Sequence, residues 1–133
     1  MNICITGLDV KKVNIIAQKL AQKLNFDFVD ADAKFEREIL KRVMYPIAEV
    51  EAELNEKEKQ MLGELGRLKN CVVCVGADMF LSLANYNVLK NSFTIALQDN
   101  LLNETELGVQ KLINSKCKAV ASSLSEMLNL VTK

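Results

Sequence analysis

No histidine and no tryptophan occur in the 133 residues, and proline occurs once. The missing imidazoles remove the commonest metal ligand. Two Tyr and five Phe are scattered through the chain, so no aromatic surface for stacking bases is evident. An excess of either charge is missing too: Lys plus Arg and Asp plus Glu both count 17. That balance gives no electrostatic footprint for nucleic acid or an anionic membrane surface. No apolar run approaches the roughly 18–20 residues of a membrane span. The N-terminus lacks the basic stretch, apolar run and small-residue cleavage site of a signal peptide. What is present is apolar bulk. Half of the residues are hydrophobic, which argues against disorder. The length suits one domain, residues 1–133, with a single substantial core.

The four cysteines do not read as a disulfide framework. Cys4, Cys71 and Cys74 lie in strand-like apolar runs, and Cys117 opens another. Cys71-Val72-Val73-Cys74 matches C-x-x-C, but residues three apart in a strand face opposite sides. Zinc and redox pairs of this spacing sit on turns or helix starts. The expectation is buried thiols in a reducing cytoplasm and no metal centre.

Strand-like and helix-like stretches alternate along the chain. Asn2–Thr6 is a short apolar strand and Gly7–Lys11 a loop. Val13, Ile16, Ala17, Leu20, Ala21 and Leu24 then recur at helical spacing, with Asn25 as a left-handed cap. Phe26–Val29 reads as a second strand ending at Asp30-Ala31-Asp32, followed by a helix from Ala33 to about Arg42. Pro46 can open the next helix, whose apolar positions are Ile47, Val50, Leu54, Met61, Leu65 and Leu68. Their near-heptad spacing suits packing on the domain itself or a seam for a partner helix. Cys71–Val75, Phe93–Leu97 and Cys117–Ala121 read as strands. Met79–Leu89, Asn100–Ile113 and a last stretch opened by a Ser123/Glu126 capping box read as helices. This alternation implies an α/β fold, three layers α/β/α around a five-stranded parallel sheet. Ligands in such sheets bind beyond the strand C-termini. Three loops end strands there: Gly7–Asn14, Asp30–Asp32 and Gly76–Asp78.

The first of these loops occupies the place of a phosphate-binding P-loop, G-x-x-x-x-G-K-[ST], in which backbone N–H groups cradle phosphate, Lys meets the outer phosphates and Ser/Thr holds Mg²⁺. Gly7 fits the pattern. Lys12, Val13 and Asn14 stand at the second Gly, the Lys and the hydroxyl. Phe28-Val29-Asp30-Ala31-Asp32, Ile47-Ala48-Glu49-Val50 and Asn70-Cys71-Val72-Val73-Cys74-Val75-Gly76-Ala77-Asp78 follow in order. With these motifs the chain resembles the shikimate kinase family of P-loop small-molecule kinases over roughly its first hundred residues.

The resemblance implies a P-loop kinase-like fold, ATP and Mg²⁺ as cofactors, and shikimate as the phosphoryl acceptor. It places Gly7, Lys11 and Lys12 toward phosphate, Asp30 toward Mg²⁺, Asp32 as acceptor-binding residue and base, and Gly76 beside the acceptor. Lys11 and Lys12 are equally readable as solvated loop lysines, and Asp30 and Asp32 as helix-start residues. The departures are numerous. Val13 can neither neutralise phosphate nor hold metal. Gln60 stands at the family's substrate arginine and Lys59 at the Phe before it. Asp78 adds negative charge where a substrate carboxylate would lie. Only about twenty residues separate the fourth and fifth strands, too few for the Arg-bearing lid, and Arg37, Arg42 and Arg67 fall at no family phosphate or carboxylate position. Phosphoryl transfer depends on such positioning and charge stabilisation. The expectation is a degenerate, shortened member without most of the lid. Its leading function is a cytoplasmic binding or regulatory module, a pseudoenzyme acting through a protein partner or homodimer. The competing reading is a divergent ATP-dependent kinase of shikimate or a related hydroxy acid. A third is a sensor that binds a nucleotide or small anion weakly. Mg²⁺ and ATP enter only if the altered site still binds.

Overall fold

Five strands form one wholly parallel sheet in the computed structural model, which describes residues 1–132. Lys133, the end of the expected domain, lies outside the described residues. The strands are β1 (Asn2–Gly7), β2 (Asp27–Asp30), β3 (Cys71–Gly76), β4 (Phe93–Leu97) and β5 (Ala119–Ala121), in the order β2-β3-β1-β4-β5. The helices are α1 (Val10–Leu24), α2 (Ala31–Glu38), α3 (Ile47–Leu65), α4 (Ala77–Leu81), α5 (Leu83–Leu89), α6 (Glu104–Lys116) and α7 (Leu124–Val131). The three-layer α/β/α architecture expected from the alternation is present.

Strand alternation divides the core between the two sheet faces. Ile3, Ile5, Val72, Cys74, Ile95 and Leu97 face Val13, Ala17, Leu20 and Ala21 of α1 and Met127 of α7. Cys4, Cys71, Val73 and Val75 face Phe35 of α2, Leu54, Met61, Leu62 and Leu65 of α3, and Met79 and Phe80 of α4. Burying a large aliphatic side chain of this kind is worth about 1.5–3 kcal/mol, so both layers contribute substantially. Cys71 and Cys74 lie on opposite faces, as a C-x-x-C inside a strand requires. All four cysteines are free. Burial pushes the Cys74 and Cys117 thiols up to about 12 and raises Cys4 as well, so these sulfurs are inert. No described helix is long and apolar enough to cross a membrane.

β1 is central and pairs with both β3 and β4. The chain leaves β1 toward β2 on one side and leaves β3 toward β4 on the other. The order therefore reverses around β1 and β3, where a ligand crevice is expected. In that register Gly7 lies directly opposite Gly76.

Several boundaries differ from the sequence expectations, each for a local reason. α1 starts at Val10 rather than Val13, because Asp9 caps it; Leu8 and Asp9 alone join it to β1. Asn25 caps its other end at φ 56°, as expected. α2 starts at Ala31, because Asp30 accepts the Ala33 N–H at 3.1 Å, and it gives way to a 3-10 turn over Leu40–Arg42. α3 ends at Leu65, so Leu68 falls beyond it; Ile47 and Leu68 are exposed instead of joining the expected stripe, and Val50 is non-helical at φ −120°, ψ 16°. The expected helix Met79–Leu89 is two helices broken at Ser82, which is extended (ψ 127°). α6 starts at Glu104 instead of Asn100. Asn103 and Glu106 form a reciprocal capping box, which leaves Leu101 outside the helix and 93% exposed. β5 is shorter than expected. At α7, Ser123 accepts the Glu126 N–H, but the Glu126 carboxylate takes Ser122 N–H, so the expected box is half formed.

Candidate functional site

Gly7 ends β1 under the first turn of α1. A Cβ there would lie 2.9 Å from Val13 Cγ2 and 3.2 Å from the Leu97 carbonyl oxygen. Its small size is thus required for strand–helix packing. It is not at positive φ; among the described residues only Asn25 and Asn70 are. Asp9 follows, and its Oδ1 accepts the Lys12 backbone N–H at 3.2 Å. This bond satisfies one of the N–H groups that a helix start leaves without an intrahelical partner. Val13 is 2% exposed and belongs to the core.

Lys11 and Lys12, expected on a loop, are in the first turn of α1. The Lys12 ammonium pairs with Asp99 at 3.5 Å. Lys11 lines a cavity of about 410 Å³ with Leu8, Asp9, Val10, Asp99 and Glu106. Among the described residues, Lys11 on this wall is outnumbered by three carboxylates.

Asp30 and Asp32 take different roles. Asp30 is the N-cap of α2, and its Oδ2 accepts the Asn14 side-chain amide at 2.7 Å. Gln18 donates to Asn14 Oδ1 at 2.6 Å and so turns the Asn14 amide toward Asp30. Asp32 sits in the first turn of α2. Its Oδ2 accepts the Gly76 N–H at 2.7 Å. A Cβ on Gly76 would stand 3.2 Å from that same oxygen, so glycine lets the carboxylate reach the end of β3. Burial holds the Asp32 carboxyl above the ordinary range. The Gly76 hydrogen bond opposes this, and the charges of Asp30 and Asp78 add to it.

Asp32 opens on a cavity of about 580 Å³ that it shares with Glu36, Glu58, Asp78, Phe35, Leu40 and Met79. Among the described residues, four carboxylates and no base line it. Burial also raises Glu58 of α3, and the charge of Asp32 adds to it. Asn85, nearly fully buried, donates to the Glu58 carboxylate and, at 3.0 Å, to the Met79 carbonyl. No motif marks Glu58 or Asn85; their pairing joins α3 to α5 and is visible only in three dimensions. The structure therefore brings Asp32 to Gly76 and Asp30 to Asn14. It does not bring Lys11 or Lys12 into the Asp32 cavity, and no residue lines both cavities.

The parallel order β2-β3-β1-β4-β5, with β3 between β1 and β2 and β1 ending in Gly just before a helix, is that of a P-loop kinase-like fold. The family model described as shikimate kinase matches residues 14–106, more than half of the chain. The chain belongs to the shikimate kinase family. A shikimate kinase of Caldicellulosiruptor saccharolyticus is 31% identical over 107 residues, covering 76% of this chain and 62% of that protein. One of Haemophilus influenzae is 31% identical over 90 residues, covering 66% and 49%. The chain thus spans less than two thirds of the length of these relatives. The fold matches the crystal structure of shikimate kinase from Aquifex aeolicus with a TM-score of 0.71 at 17% identity, covering 99% of this chain and 94% of that one. It matches shikimate kinase from Acinetobacter baumannii in complex with shikimate with a TM-score of 0.72 at 18% identity, covering 98% and 92%.

Proposed function

We propose that this member of the shikimate kinase family does not transfer phosphate. It acts as a binding or regulatory module in the cytoplasm, with a protein partner or a second copy of itself. The observation that carries this reading is Val13, at the position of the phosphate-gripping lysine. Its side chain is buried between β1 and α1 and closes against Gly7. The same reading takes residues 1–133 as one domain without most of the lid, since only residues 98–103 join β4 to α6.

ATP and Mg²⁺ do not fit the residues present. Asp9 puts a carboxylate at the helix start where phosphate would need N–H groups and a cation. Both oxygens of Asp30, the metal-side candidate, already accept protein donors, from Ala33 and Asn14. On the acceptor side, the four carboxylates facing the Asp32 cavity repel an anionic acid such as shikimate. The test is a phosphotransfer assay of the purified chain with Mg-ATP and shikimate, alongside thermal unfolding with the same ligands. No turnover and no ligand-dependent shift are expected. Robust phosphorylation of shikimate would refute the proposal.

A second reading, a divergent kinase of shikimate or a related hydroxy acid, draws on Asp32. It is half-buried on a cavity wall, and burial raises its pKa, the direction that makes a carboxylate a better proton acceptor. If it holds, Asp32→Ala abolishes turnover while the fold persists.

A further inference from the structure

We infer that the nucleotide side of the cleft is liganded by the chain itself, with Asp9 standing where a bound phosphate would stand, so that Asp9 is the residue that excludes anions. This rests on the reading above and names what closes its site. A helix start carries unpaired N–H groups and the positive end of the helix dipole, and it draws anions. In α1 one of those N–H groups is met internally: Asp9 Oδ1 accepts the Lys12 N–H at 3.2 Å, and the Asp9 charge opposes any second anion.

Two independent contacts agree. The Lys12 ammonium, which could offset phosphate charge, is held by Asp99 at 3.5 Å, and Asp99 and Glu106 line the adjoining cavity. Across the joint, the Asn14 amide donates to Asp30 Oδ2 at 2.7 Å, a hydrogen bond that fills the carboxylate where the family's residue faces metal. The residues at both ligand-facing positions have therefore become partners of one another. What remains is a cap and a latch that hold β1, α1 and β2 together without a ligand.

The test is thermal unfolding of the full chain with inorganic pyrophosphate, at matched ionic strength with sodium chloride. It compares the wild type with Asp9→Ala and Asp9→Asn. Asp9→Ala removes cap and charge; it is expected to unfold a few degrees lower without anion and to regain part of that loss with millimolar pyrophosphate. Asp9→Asn keeps the cap acceptor and removes the charge. It is expected to match the wild type without anion and to rise with pyrophosphate. The wild type is expected not to shift. A wild-type shift as large as that of either variant overturns the inference, and so does the absence of a shift in both variants. Turnover of shikimate by the wild type would sink the proposed function instead, whatever pyrophosphate does to the variants.

Discussion

The two halves of the cleft lie beyond the same C-terminal end of the sheet and differ in how far their polar groups are partnered. At the β1–α1 joint Asp9 accepts from the helix start, Lys12 pairs with Asp99 and Asp30 accepts the Asn14 amide, although carboxylates still outnumber Lys11 around the adjoining cavity. In the acceptor cavity, Asp32, Glu36, Glu58 and Asp78 face one another without a base. Burial and mutual repulsion raise Asp32 and Glu58, and the hydrogen bonds from Gly76 and Asn85 offset this only in part. The chain thus supplies partners to most polar groups of one half and leaves unfavourable charge in the other, which is more often the mark of a site than of a core. The acceptor half is the half in which to search for a remaining ligand.

The sharpest way to break the comparison is to return the family's lysine to the joint. Val13 is packed under Gly7, and α1 already begins at Val10, so a lysine there has no loop from which to reach phosphate. Val13→Lys buries a charge without a partner and is expected to cost about 3 kcal/mol or more. Urea unfolding reads this as a lower midpoint with an unchanged slope. A variant as stable as the wild type, and shifted by Mg-ATP, would mean that the joint is still a working nucleotide site.

The acceptor half responds in the other direction. Asp32→Asn removes one of four facing charges, while its amide oxygen can still accept the Gly76 N–H. The Asp32 carboxyl titrates higher in the folded chain than its ordinary value of 3.8. Its ionisation therefore costs stability above the folded pKa and costs nothing below the unfolded one. Asp32→Asn is expected to raise the unfolding temperature at neutral pH by a degree or two. That gain is expected to shrink as pH falls through the folded pKa toward 3.8. A gain that does not change with pH would show that repulsion is not what distinguishes this half.

The fold was legible because its signals are periodic and redundant. The α1 stripe from Val13 to Leu24 and the apolar strands predict the layers without any site information. The site was legible only in part. Asp32 and Gly76 were both readable as candidates, and the structure joins them. Glu58 and Asn85 were not, since their pairing spans α3 and α5 and leaves no spacing to read. The loop expected over Gly7–Lys11 failed for a local reason. A P-loop keeps Leu8-Asp9-Val10 open as loop, whereas here the aspartate caps a helix that starts at Val10. The same priority of capping over apolar spacing moved the start of α6 from Asn100 to Glu104, through Asn103 and Glu106. Short polar residues at helix starts decide boundaries that hydrophobic spacing leaves open.

The smallest expected effect separates latch from ornament at the joint. Lys12–Asp99 is a single pair at 3.5 Å, and the lysine side chain is 57% exposed. Pairs of this kind are worth about 0–1 kcal/mol and are screened by salt. Lys12→Ala is therefore expected to change stability by less than about 0.5 kcal/mol, and the difference is expected to vanish at high salt. The Lys12 backbone N–H that Asp9 caps survives the substitution. If Lys12→Ala instead destabilised the chain as much as loss of the Asp9 cap, the ion pair would be part of the structural joint. The matched state of this half would then depend on the long-range contact to Asp99 as well as on the local cap.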